Sequence, residues 1–230
     1  MSSALDALLH SATVWRGGEL SVAPATGIAS GFAAIDEKLG GWPSDSLVEL
    51  IPQREGVGEL SLFLPALARL SRKQRWIVFV DAPYVPYAPA LAAAGIDLAK
   101  LMVVRARSSA DALWAMEQAL RSGACSAVLG WPGFFTEQAI RRLQLAAQSG
   151  PALGICFTAC GAVPRASPVP YRLRVDAQAR GVRVEILKRR GGGPIAPLFL
   201  ENVVSASRYV AVPGFSPPAP GSVPAGARAA

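Results

Sequence analysis

The chain has 230 residues, of which 51% are hydrophobic, and it carries a formal net charge of +7. That length suits one α/β domain with tails, and no uncharged apolar run approaches the roughly 18 residues of a membrane span. With no basic stretch followed by an apolar run at the N-terminus, a cytoplasmic protein is expected, and the positive excess fits either an acidic partner or plain solubility.

Residues 1–27 read as an arm. The segment SALDALLHSATVW places Leu5, Leu8 and Leu9 on one helical face, with Ser3 as a cap and Trp15 beyond, before Gly17, Gly18 and Pro24 break the pattern. Those apolar residues are candidate contacts with a partner. The core domain is expected over residues 28–210. It opens with a helix from Phe32 to Leu39 that Gly40 and Gly41 stop, and Pro43 and Asp45 then turn into a strand at Leu47–Ile51.

The stretch Val48 to Leu64, VELIPQREGVGELSLFL, is the centre around which the domain is organised. A strand, a glycine-bearing loop and a helix, in that order, build a phosphate cradle from backbone N–H groups at the helix start. Its chemistry also needs a Lys for the phosphates and a hydroxyl for Mg²⁺ directly after the last glycine. After Gly56 and Gly58 stand Glu59 and Leu60, then Ser61, so the shape is retained and the charge is reversed. No catalytic residue and no cofactor is expected. The helix is expected from about Gly58 to Ser71, kinked by Pro65.

Strands are next expected at RWIVFVDA, ending at Asp81, and at Leu101–Arg105. Ser108 caps a helix whose Leu113, Met116 and Leu120 share a face, and Ala127–Gly130 is a buried strand. Thr136 caps a helix to about Gln148, and Ala152–Ala159 is an apolar strand. Strands alternating with helices point to a doubly wound, mostly parallel sheet. After Pro164, YRLRVDA and VRVEILK alternate apolar and polar residues, which predicts an antiparallel hairpin turning around Gly181. Its expected wet face carries Arg172, Arg174 and Arg183, followed by Lys188, Arg189 and Arg190. An edge strand is expected within Pro194–Glu201. Residues 211–230, rich in Pro, Ala, Gly and Ser, are expected to be disordered. Cys125, Cys156 and Cys160 lack the spacing of a disulfide or metal framework and read as buried small hydrophobes. His10 is the only histidine, so zinc and catalytic-His chemistry have no ligand set.

Several of these residues carry a resemblance. Ser30-Gly31, Asp36, Leu39-Gly40-Gly41, Pro43 and Val48-Glu49 resemble the lead-in to the ATP loop of the RecA-like family. Gly95-Ile96-Asp97 and the run Leu120-Arg121-Ser122-Gly123-Ala124 resemble it further along. Within that group, IPQREGVGELSL and ILKRRGG are similar to ImuA, with SulA as a related, shorter family. The ImuA resemblance implies a non-catalytic adaptor in damage-induced (SOS) translesion synthesis. Its implied partners are an ImuB-like polymerase-family protein and a DnaE2-type polymerase, with RecA as a further candidate and weak direct DNA contact at most. The SulA alternative implies an inhibitor that sequesters a cell-division polymer, and a third alternative is an ATPase with an atypical loop. Against RecA, Glu59, Leu60, Pro83, Gly130 and Cys160 stand where nucleotide chemistry is carried out. Lys188 and Arg190 match residues that reach a neighbouring subunit, and Phe134 and Phe135 offer an apolar rim for a partner.

Overall fold

The computed structural model describes residues 27–132, 136–161, 167–190, 192, 195–201 and 203. The arm with Leu5, Leu8 and Leu9, the pair Phe134 and Phe135, and the tail 211–230 lie outside these residues. The strands are β1 (Leu47–Pro52), β2 (Trp76–Val80), β3 (Leu101–Val104), β4 (Cys125–Gly130), β5 (Leu153–Phe157), β6 (Tyr171–Gln178), β7 (Gly181–Lys188) and β8 (Leu198–Glu201). The helices are α1 (Ala33–Leu39), α2 (Leu64–Ser71), α3 (Ala88–Ala93), α4 (Ser109–Arg121) and α5 (Glu137–Ser149). Among the described residues no helix is long and apolar enough to cross a membrane.

The strands form a single mixed sheet in the order β3-β2-β4-β5-β1-β6-β7-β8. All pairings from β3 to β6 are parallel, and β7 and β8 are antiparallel additions. Successive side chains of a strand point to opposite faces, so the apolar runs of β1, β2, β4 and β5 feed two cores. Val48, Leu50, Phe79, Leu129 and Ile155 join α1 and α2 on one face, and Leu47, Val78, Val80 and Val128 join α4 and α5 on the other.

Local chemistry sets the helix ends. Gly40 adopts φ 71° and its N–H bonds the Asp36 carbonyl, closing α1 with a left-handed residue. The hydroxyls of Ser108 and Thr136 accept from the N–H groups of Asp111 and Ala139, as capping predicts.

Four expectations change. The helix expected from Gly58 is split: a 3₁₀ turn spans Leu60–Leu62, and α2 begins at Leu64 with Pro65 in its first turn. Proline has no N–H to give, and the first turn needs none, so Pro65 starts a helix rather than kinking one. The hairpin turns at Ala179 and Arg180, and Gly181 already belongs to β7, where a Cβ would lie 2.0 Å from the Leu200 carbonyl oxygen of β8. Arg172 is buried, not wet: its side chain pairs with Glu49 across β1 and β6. Cys125 and Cys156 are buried as expected, but Cys160 is exposed, beyond the end of β5.

Candidate functional site

The loop after β1 is a tight turn that carries glutamate and leucine after its last glycine. Gly56 and Gly58 take φ 70° and 90°, conformations that favour glycine. Glu59 begins the 3₁₀ turn without a side-chain cap, and its Oε2 is buried with no hydrogen-bond partner. Leu60 packs against the core, and Ser61 is half-buried. The Tyr84 hydroxyl donates to Glu55 Oε2 at 2.8 Å, and that bond raises the tyrosine pKa. Burial raises the Cys160 thiol, with Glu55 and Glu59 adding to the shift. Glu55 and Glu59 are thus the charges that act on Tyr84 and Cys160 around this loop.

Of the expected basic edge only Arg172 is buried; Arg174 and Arg189 are half-buried, and Arg183, Lys188 and Arg190 are exposed. Arg172 Nε lies 2.7 Å from Glu49 Oε2, and its Nη2 lies 3.3 Å from Oε1. Arg174 pairs with Glu185 at 2.9 Å. Lys188 Nζ donates to the Ser167 carbonyl, Arg189 to the Lys38 carbonyl, and Arg190 to Asp45 and the Ser46 hydroxyl. Arg183 remains exposed on β7. Several of these cations also tie the hairpin to neighbouring segments and to the end of α1. Trp131 turns inward, its ring stacked on Phe157 at 4.3 Å.

The opposite edge of the sheet has the reverse character. Among the described residues β3 pairs only with β2, and no described strand lies beside its outer backbone groups. Met102 and Val103 are 42% and 43% exposed, and Trp76 and Leu98 beside them are 39% and 38% exposed. Lys100 Nζ sits 5.9 Å from the Trp76 ring centroid, within cation–π range. Natural sheets blunt such edges with charged residues or proline, and the four residues LMVV of β3 contain neither. An unguarded apolar edge is a place for a strand or an apolar surface of another protein. Sequence reasoning missed this site, because an apolar run reads alike in a central and an edge strand.

Comparison with known proteins places the likeness on this part of the chain. The family model described as "Cell division inhibitor SulA" matches residues 48–154. The SulA of Edwardsiella piscicida is 36% identical over 132 residues, spanning 53% of this chain and 79% of that protein. The SulA of Erwinia pyrifoliae is 32% identical over 138 residues, spanning 58% of this chain and 82% of that protein. In the crystal structure of SulA from Pseudomonas aeruginosa the match is 26% identical with a TM-score of 0.42, covering 49% of this chain and 98% of that one. The family model and the two curated relatives overturn the ImuA reading. The translesion and mutagenesis role falls with it, as do the ImuB-like, DnaE2-type and RecA partners. The shorter alternative family, SulA, is the one matched. The basic residues from Arg172 to Arg190 lie beyond the stretch that the family model matches, whereas Trp76, Leu98, Met102 and Val103 lie within it.

Proposed function

Because this chain belongs to the SulA family of cell division inhibitors, we propose that it blocks division by binding a subunit of the cell-division polymer through the β3 edge. It acts by occupancy and not by turnover, as an inhibitor and not an enzyme. The observation that carries this reading is the unguarded edge of β3 within the stretch shared with the family. A partner loop or strand gains backbone hydrogen bonds along β3 and buries Met102, Val103, Trp76 and Leu98. A bound inhibitor on one face of a subunit stops head-to-tail growth, because such a polymer needs both faces.

The same reading treats the loop at Gly56–Ser61 as a turn kept for the fold, with Glu59 excluding nucleotide phosphates. The strand order supports a RecA-like, doubly wound ancestry for the scaffold. Residues 28–210 act as the working domain in the cytoplasm, with 1–27 and 211–230 as arm and tail. A setting in the SOS response fits this reading as well as the one it replaces.

The test is assembly of the purified division protein, followed by light scattering, with the chain added at up to equal concentration. The natural chain is expected to suppress assembly, and Val103→Lys to require at least about tenfold more protein, a loss of about 1.4 kcal/mol in binding. Val103 is exposed, so the variant keeps its fold. Undisturbed assembly with the natural chain removes the function, and equal potency of Val103→Lys removes the β3 edge as its surface.

A further inference from the structure

Helices α4 and α5 lie side by side on one face of the sheet, with an open groove of about 320 Å³ between them. Leu113, Trp114, Ala139 and Leu143 give it an apolar lining, and Glu117 and Arg142 close it with charge. Small Ala139 leaves room where a larger residue would fill the cleft. Trp114 is 61% exposed, an unusual state for the largest side chain. At the charged end, Arg121 Nη2 donates to Glu117 Oε1 at 3.1 Å, and Arg142 Nη2 donates to Oε2. Two guanidiniums thus share one carboxylate that is only 6% exposed. Both arginine side chains remain more than half exposed, at 54% and 59%. Among the described residues one positive charge at this end is therefore unmatched, while the neighbouring Arg141 is matched by Glu137.

We propose that this groove binds an acidic amphipathic helix of a partner protein. A third helix fits the ridge-and-groove surface of a helix pair. Its apolar face covers Leu113, Leu143 and the Trp114 ring, and a carboxylate on its flank takes the unmatched charge of Arg142 and Arg121. A half-exposed tryptophan next to arginine is the composition of a binding hot spot. The chain's net charge of +7 steers acidic segments towards it. The site differs from the β3 edge: α4 rests on β2 and β4 and α5 reaches β1, while β3 meets the same core only through Val104 among Leu101, Met102, Val103 and Val104.

The test uses two labelled synthetic helical peptides of identical leucine pattern, one with Glu and one with Lys on the polar face. Each is titrated with the full chain by fluorescence anisotropy at about 0.15 M salt, where charges beyond about 8 Å are screened. The acidic peptide is expected to bind at least about tenfold tighter than the basic one. Trp114→Ala and Arg142→Ala are each expected to weaken it about fivefold or more, with thermal midpoints unchanged for Trp114→Ala. Arg183→Ala, on the distant hairpin, is expected to leave binding intact. Absence of acidic-peptide binding overturns the proposal. So does full retention by both groove variants, or an equal loss with Arg183→Ala, which would reduce the effect to net charge.

Discussion

Replacing Arg172 by Ala strands a carboxylate inside the sheet. The guanidinium holds both oxygens of Glu49, at 2.7 and 3.3 Å, and the two side chains are only 10% and 8% exposed. The pair spans β1 and β6, the seam where the hairpin joins the rest of the parallel strands. On its other side, Glu49 is in register with Cys156 of β5, whose thiol pKa burial and the Glu49 charge push upward, so no cation replaces the lost one there. Breaking a buried pair from one side costs about 3–5 kcal/mol, because the remaining ion keeps its desolvation penalty. A domain with about 5–15 kcal/mol in total loses a large share of its stability. Arg174→Ala is the internal control: its pair with Glu185 is 30% and 37% exposed, so the loss is expected to stay below about 1 kcal/mol. The double variant Glu49→Leu/Arg172→Met removes both charges and is expected to recover most of the loss. Urea unfolding followed by circular dichroism measures all three, compared at constant m. If Arg172→Ala unfolds within about 1 kcal/mol of the natural chain, the buried-pair reasoning is refuted.

Of the three cysteines, Cys160 alone is expected to react with a thiol reagent in the folded chain, and all three once it is unfolded. The Cys160 pKa is raised by burial and by Glu55 and Glu59, so its thiolate is scarce near neutrality; labelling is expected to be slower than for a free thiol and to accelerate as pH rises past the ordinary thiol range. Two fast-reacting thiols in the folded state would contradict the burial of Cys125 and Cys156. At Gly130, a Cβ would lie 2.1 Å from Met116 Sδ of α4, so Gly130→Ala is expected to cost about 1–3 kcal/mol in urea unfolding, partly relieved in a Met116→Ala background. An unchanged midpoint would show that Met116 moves aside freely. Introducing Lys and Thr through Glu59→Lys/Leu60→Thr is expected to create no ATP hydrolysis in a phosphate-release assay, because phosphoryl transfer needs several positioned groups and not a lysine and a hydroxyl alone.

Most of the scaffold was legible because its signals are local. The Gly40 stop, the Ser108 and Thr136 caps and the alternation of strand and helix each depend on a few neighbouring residues. The tight turn at Gly56 and Gly58 was legible for the same reason, since it rests on a few consecutive residues. Trp114 also left a signal, as it falls off the helical face of Met116 and Leu120. Pro65 was misread because a proline's effect depends on where the helix starts, and packing of Leu62 and Phe63 moved that start to Leu64. Family identity was misjudged because the fragments similar to ImuA are spread over a scaffold that related families share.

The amino-acid order alone therefore determined the element sequence, the tight turn at Gly56 and Gly58 and the two-sided burial of the central strands. Those properties follow from periodicity and backbone chemistry within a few turns of chain. The order of strands in the sheet was left to tertiary structure, and with it the identity of the exposed side chains. Only that order puts β3 at an open edge, so that Met102 and Val103 face water although they look like core residues. It also sets β6 beside β1, so that Arg172, which alternates as a surface residue, meets Glu49 from a distant part of the chain and is drawn inside. Exposure belongs to neighbours in space, and the pairing of remote strands chooses them.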